Sequence, residues 1–281
     1  GEGPGVMGQR RDVKIIVAEH AGFCFGVERA IDQIEEYLKS QPNVYAMGQV
    51  VHNNAVNERL EGMGLHFEED ETKIPDDAQV VLRTHGVPKR IYEYYDERHI
   101  PYLDVACPFV KRIHKIVEEL DPDNDILILA GTVGHAEVTG TLGFASCPAF
   151  VVHDADELKE TYIAHETEWE GKKINLIAQT TYSLEEWEKC VTTIKFLCTN
   201  YSVFGTICKA TESRQNEAAE LSKRCQAMVI VGDTKSSNTG RLAMICRKYC
   251  ASVVLVDNAT ELDPDFFRGT TDVGITAGAS T

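Results

Sequence analysis

Residues 21–32 read AGFCFGVERAID: one cysteine, Cys24, stands between Gly22 and Gly26, with an amphipathic pattern starting just behind it. Val27, Ala30, Ile31, Ile34 and Leu38 recur at helical spacing and Pro42 follows, so a helix is expected to begin next to the thiol. A helix N-terminus offers free amides and the positive end of a dipole, which favour thiolate over thiol. Two other cysteines have the same setting. Cys107 precedes Pro108, a favoured first helical residue, and the stripe Val110, Ile113, Val117, Leu120. Cys208 precedes TESRQNEAAELSKRC, residues 211–225, with Ala218, Leu221 and Cys225 on one side.

The spacing behind each cysteine repeats as well. The strand-like runs YAMGQVVH, ILILAGTVGH and MVIVGDTKS end at His52, His135 and Ser236, each 28 residues beyond its cysteine. A further run then closes each segment: VVLRTH at His85, INLIAQTT at Thr180 and Thr181, VGITAGAS at Ser280. Short apolar runs alternating with helical patterns predict an α/β fold with largely parallel sheets. The repetition predicts three pseudo-symmetric α/β units, at 13–106, 107–205 and 206–281. No Pro-, Gly- or Ser-rich linker separates them, so they are expected to pack around a shared centre. Polar residues at the carboxyl ends of parallel strands are where such folds place ligands. The plain alternative is coincidence among βαβ units of similar length.

Composition narrows the function. The 281 residues are 43% hydrophobic and 26% charged. No run approaches the roughly eighteen apolar residues of a membrane span, and the start lacks a signal-peptide core, so a cytoplasmic enzyme is expected. Residues 1–6, GEGPGV, read as an added leader ahead of a native start near Met7. A net charge of −16 repels a phosphate backbone and argues against nucleic acid as the main partner. A small anion remains possible, held by helix-start amides, hydroxyls and imidazoles. The nine cysteines are odd in number and include no C-x-x-C pair, which argues against a disulfide framework and against a locally bound metal. Any metal site must gather cysteines from distant segments.

Three converging thiolates at Cys24, Cys107 and Cys208 suit zinc, or an iron–sulfur cluster with one iron lacking a protein ligand and open as a Lewis acid. The other six, Cys147, Cys190, Cys198, Cys225, Cys246 and Cys250, read as small buried hydrophobes. In GHAEV, His135 and Glu137 stand two apart on an extended segment or strand end, an imidazole and a carboxylate able to share proton transfer and anion binding. Alone, the pair also reads as a surface loop. In GDTKSSNTGRL, Ser236, Ser237, Asn238 and Thr239 offer neutral donors ahead of a helix, either a phosphate cradle or an N-cap cluster. With His52 and His85 they complete a set suited to a diphosphate. The charged segment 153–173 reads as a solvated helix and loop.

Taken together, GFCFGVERAI, VVHN, RTHGVP, DVACPFV, GHAEVTGT, AQTTYS, TICKATESRQ, TKSSNTGRL and ITAGAS resemble, in order over residues 14–281, the LytB (IspH) family of 4-hydroxy-3-methylbut-2-enyl diphosphate reductases of the non-mevalonate isoprenoid pathway. The resemblance implies a three-domain trefoil around a 4Fe-4S cluster on Cys24, Cys107 and Cys208. It implies reductive removal of the substrate's allylic hydroxyl as water, giving isopentenyl and dimethylallyl diphosphate. Glu137 then becomes the main proton donor, Thr180 an orienting group, and His135 a proton relay that also contacts the diphosphate. His52, His85, Ser236, Ser237, Asn238 and Ser280 become diphosphate ligands, and a ferredoxin or flavodoxin-type protein the electron donor.

Three positions depart from the family pattern. Phe25 replaces a small residue and either narrows the space beside Cys24 or packs outward. Ala136 replaces the proline common between this His and Glu, and is expected to loosen the loop. The chain stops at Thr281, where relatives continue into a C-terminal helix and tail, so the third unit is expected to be truncated. Two competing readings are another three-cysteine cluster enzyme resembling quinolinate synthase and a non-catalytic electron carrier or redox sensor. GHAEV together with SSNTGRL speaks against the first. The polar set at the strand ends of every unit speaks against the second.

Overall fold

The computed structural model describes residues 13–281; the expected start near Met7 lies outside the described residues. Three four-stranded parallel sheets carry the fold. The first, in order β3-β2-β4-β5, comprises β2 (Val44–Met47), β3 (Leu65–Glu68), β4 (Gln79–Leu82) and β5 (Tyr102–Asp104). The second, β7-β6-β8-β9, comprises β6 (Asp125–Ala130), β7 (Ala149–Val152), β8 (Lys173–Ala178) and β9 (Tyr201–Val203). The third, β11-β10-β12-β1, comprises β10 (Ala227–Val231), β11 (Ser252–Val256), β12 (Asp272–Ala277) and the N-terminal β1 (Lys14–Val17).

The position of β1 corrects the expected unit 13–106 at its beginning. β1 pairs with β12 from Lys14↔Asp272 to Val17↔Ile275 and so completes the third sheet rather than the first. The physical reason is equivalence among the three sheets. In each, the edge strand that feeds a cysteine lies beside a longer inner strand: β5 beside β4, β9 beside β8, β1 beside β12. The chain supplies the last of these slots from its N-terminal end. Left empty, that slot would expose the unpaired edge of β12.

Each cysteine marks a crossing from one sheet to the next. Helix α1 (Phe25–Ser40) follows Cys24 and buries Ala30, Ile31 and Ile34 against Val44, Ala46 and Val81 of the first sheet. Helix α4 (Pro108–Glu118) follows Cys107 and packs Ile113 and Val117 on Leu127, Leu129 and Ile177 of the second. Helix α8 (Lys209–Arg224) follows Cys208 and packs Ala218 and Leu221 on Met228 and Ile230 of the third. Each fully buried Ile or Leu contributes about 1.5–3 kcal/mol, so these faces fix where every helix starts. The ring of crossings, third sheet to first to second to third, brings three helix N-termini to one centre.

The segment 153–173 forms α6 (Ala155–His165), with Leu158 its buried residue. The loop behind it differs from a solvated one, because Trp169 is buried against Phe150 and stacked on His165. Among the described residues, no helix is long and apolar enough to cross a membrane.

Candidate functional site

The three crossings are hung in the same way. The N–H of Cys24 donates to Ala279 O (2.9 Å), that of Cys107 to Thr84 O (3.0 Å) and that of Cys208 to Thr180 O (3.1 Å), each acceptor lying just beyond β12, β4 or β8. Each cysteine is the N-cap of its helix, and each carbonyl accepts an N–H from the first turn. The thiols thus enter a common space from three sheets. A methyl built on Gly26 would stand 2.8 Å from Cys107 Sγ and 3.9 Å from Cys24 Sγ, so those sulfurs face each other across a glycine.

Burial pushes the Cys107 thiol up, and the neighbouring Cys24 and Cys208 push it further, while the amides of Phe109 and Val110 oppose them. Burial likewise raises Cys208, against the Thr211 hydroxyl at 3.1 Å and its N–H at 3.4 Å. Among the described residues, no three His, Cys, Asp or Glu side chains are grouped closely enough to hold a single metal ion.

Twelve side chains singled out in the sequence line one cavity, Cys24, Cys107 and Cys208 with His52, His85, His135, Glu137, Thr180, Ser236, Ser237, Asn238 and Ser280, and Thr181 joins them while Thr239 does not. Glu137 differs from expectation in its local structure. It lies in the first turn of helix α5 (Ala136–Leu142) rather than on a strand end, because His135 caps that helix, its Nδ1 accepting the Glu137 N–H at 3.1 Å. Ala136 fills the first helical position, where proline and alanine both fit. Phe25 is 67% exposed and so packs outward.

The Glu137 carboxyl is 3% exposed and accepts the Thr180 N–H on Oε1 (2.6 Å) and the Thr180 hydroxyl on Oε2 (2.7 Å). Burial raises its pKa to about 7, with both Thr180 bonds pulling the other way. The carboxyl is therefore poised to hold or release a proton at neutral pH.

Three imidazoles share the cavity with it. The ring centroids of His52 and His85 are 4.7 Å apart, those of His85 and His135 5.7 Å, and those of His52 and His135 6.0 Å. Burial lowers all three, His135 to about 4; His52 and Arg83 add to the effect on His85 and His135, and His135 adds to it on His85. Both ring nitrogens of His52, and both amide atoms of Asn238, are buried without a partner. Buried polar atoms are ordinarily hydrogen-bonded, so these are able to bind a polar group.

Asn238 lies in helix α9 (Ser237–Tyr249), which Ser236 caps through the Thr239 N–H (3.4 Å), so this cluster is both an N-cap and a cavity wall. The units are tied across the site. Asn53 Nδ2 donates to Ser280 O (2.9 Å), Ser280 Oγ to His52 O (3.2 Å), and Thr181 Oγ1 to Ser237 Oγ (3.1 Å).

Residues 15–281 match the family model described as LytB protein. The chain belongs to the LytB family. The 4-hydroxy-3-methylbut-2-enyl diphosphate reductase of Caldanaerobacter subterraneus subsp. tengcongensis is 35% identical over 273 residues, covering 96% of this chain and 92% of its own. The enzyme of that name from Aquifex aeolicus is 36% identical over 273 residues, with the same coverage. Among solved structures, the E-1-hydroxy-2-methyl-but-2-enyl-4-diphosphate reductase of Plasmodium falciparum superposes with a TM-score of 0.89 at 28% identity, over 96% of this chain and 84% of that one. A solved (E)-4-hydroxy-3-methyl-but-2-enyl diphosphate reductase, described as the terminal enzyme of the non-mevalonate pathway, gives 0.67 at 36% identity, over 96% and 94%.

In this LytB chain the site also contains residues that sequence reading passed over. Gly26 keeps open the space between two thiols. Thr211 bonds Cys208, and Arg214 and Gln215 are buried on the same face of α8. The available signal was a stripe at 211, 214, 215 and 218 that turns polar as it approaches the cysteine. The cysteines expected to be inert lie elsewhere: Cys147, Cys190, Cys225, Cys246 and Cys250 are buried and Cys198 is half-buried among apolar residues.

Proposed function

We propose that this LytB chain is a 4-hydroxy-3-methylbut-2-enyl diphosphate reductase of the cytoplasm. It replaces the allylic C–OH bond of its substrate by C–H with two electrons and two protons, releasing water and giving isopentenyl or dimethylallyl diphosphate. The observation that carries the reading is the convergence on one cavity of three N-cap cysteines, a buried proton-holding carboxyl and a set of anion-binding groups in which the His52 ring and the Asn238 amide have no partner.

The donor set fits a cluster better than one ion. Three thiols from three sheets share the cavity, yet among the described residues no three His, Cys, Asp or Glu side chains are grouped closely enough for a single ion. A 4Fe-4S cluster on Cys24, Cys107 and Cys208 would supply electrons one at a time and an iron without a protein ligand as a Lewis acid for the hydroxyl.

The remaining work falls to side chains. Ser236, Ser237, Asn238, Ser280 and the three imidazoles hold the diphosphate, and their places on three units fix the direction of the hydroxyl. Glu137 gives a proton to the departing oxygen, which leaves as water instead of hydroxide. Thr180 holds the carboxyl in place through two bonds and orients the hydroxyl's proton network. His135, whose ring caps the Glu137 helix, both contacts the diphosphate and links Glu137 to it. A ferredoxin or flavodoxin-type protein delivers the electrons.

Anaerobic oxidation of reduced methyl viologen by the reconstituted protein tests the proposal. Substrate-dependent oxidation with both isoprenoid diphosphates as products is expected. No turnover by a protein carrying its full iron and sulfide would overturn the assigned reaction.

A further inference from the structure

Arg214 is a charge for which the assigned chemistry has no use. It lies on α8 six residues beyond Cys208 and is 4% exposed. Its Nη2 donates to Gly22 O at 2.7 Å and its Nη1 to Ala210 O at 3.1 Å, while Nε is buried without a partner. The neighbouring acid, Glu217, is engaged elsewhere, accepting from the backbone N–H groups of Glu19 and His20 and facing the His20 ring at 3.0 Å. Among the described residues, no carboxylate forms an ion pair with Arg214. Burial pulls the guanidinium down, and of the anionic groups that push it back up, Cys24 and Cys208 act more strongly than Glu217.

A buried cation without an anion is strongly unfavourable, and a guanidinium does not escape by giving up its proton. Its two neutral carbonyl partners satisfy hydrogen bonds and leave the charge uncompensated. The compensating charge belongs at the centre that Cys24 and Cys208 share, because Arg214 bonds the loop two residues before the one and lies on the helix that begins at the other. The geometry adds a second element. Gly22, two residues before Cys24, has φ +104°, a conformation suited to glycine, and its carbonyl is turned to the arginine. Arg214 therefore ties the loop of one thiol to the helix that begins at another.

We propose that Arg214 is the fixed counter-charge of the metal centre: buried between the loop of Cys24 and the helix that begins at Cys208, it favours each added electron. This rests on the reading that the three cysteines hold a cluster. Every electron accepted makes that centre more negative by one charge, and a permanent cation in a dry setting lowers the cost of that step.

The experiment compares wild type, Arg214→Gln and Arg214→Lys, each reconstituted anaerobically, by iron and sulfide content and by redox titration followed by electron paramagnetic resonance, without substrate. Arg214→Gln is expected to lower the equilibrium constant of one-electron reduction at least tenfold, a midpoint more negative by 59 mV or more. Arg214→Lys, which keeps the charge and loses the planar fork, is expected to stay within about threefold of wild type. If Arg214→Gln fails to load a cluster, the lysine variant decides: loading and a near-wild-type midpoint support the counter-charge. A glutamine variant that titrates like wild type, a lysine variant shifted as far as glutamine, or the loss of cluster from both variants would overturn it. Wild-type protein that takes up no iron and sulfide would overturn the cluster reading itself, and this inference with it.

Discussion

If Glu137 donates the proton, the rate must follow its ionisation, and the structure says how to move that ionisation. With the carboxyl at about 7, roughly half the molecules hold the proton at neutral pH, and turnover should fall about tenfold per pH unit above that point. Thr180→Val removes the hydroxyl bond to Oε2 at 2.7 Å and leaves the N–H bond to Oε1 at 2.6 Å. A hydrogen bond to a charged group contributes about 1.5–3 kcal/mol, and one pKa unit is 1.36 kcal/mol. The lost bond stabilised the carboxylate, so its removal raises the carboxyl by about one to two units. The alkaline limb should therefore move from about pH 7 to about pH 8–9, even if the plateau falls because substrate orientation suffers. Glu137→Gln should lose the limb and about 10²–10⁴ in turnover. The assay is viologen-linked kcat/KM, which reports ionisations of the free enzyme, from pH 6 to 9.5 for the three proteins. A limb that stays in place in Thr180→Val, or survives in Glu137→Gln, refutes the assignment of the proton to this carboxyl.

Gly26→Ala places a methyl 2.8 Å from Cys107 Sγ and should cut bound iron and sulfide to below half, although alanine favours the helix by about 1 kcal/mol and the apo chain should melt no lower. Cys107→Ser should lose iron and sulfide yet keep its far-ultraviolet circular dichroism, because the N–H bond to Thr84 O and the packing of α4 on the second sheet do not involve sulfur. Diphosphate binding should be accompanied by proton uptake above about pH 4, since burial lowers the three imidazoles, His135 to about 4, and an anion among them raises their affinity for protons. Calorimetry in two buffers of different ionisation enthalpy measures it, and a heat independent of buffer would count against the histidine cradle.

The three sheets were legible in the sequence because each depends on local patterns: an apolar run, a helical stripe, a polar strand end. The origin of β1 was not. Its four residues, KIIV, form an edge strand with Ile15 and Val17 62% exposed, and nothing in such a short run states which sheet it joins. Only the symmetry argument, carried one step further, requires a fourth strand beside β12. A repeat that closes into a ring can be cut at any point, and this chain is cut between a strand and the sheet to which it belongs.

The site shows the same division. Cys24, Cys107 and Cys208 announce themselves because a thiol before a helix is a local feature, and the histidines and hydroxyls because strand ends are. Gly26 and Arg214 matter through what stands across from them, and those neighbours come from segments about 80 and 190 residues away in the chain. The charge pattern explains why Arg214 in particular is hidden: in a chain of net charge −16, an arginine within an amphipathic helix reads as one more solvated cation. Burial changes its meaning. The cavity combines neutral hydroxyls and amides, imidazoles held neutral by desolvation and a carboxyl held near half-protonation, and two guanidiniums stand outside its lining, Arg83 acting on the imidazoles and Arg214 tying the loop of Cys24 to the helix of Cys208. With the titrating carboxyl at Glu137 and the proposed counter-charge at Arg214, the two tasks of the site fall to different side chains: protons are managed by the one and negative charge by the other.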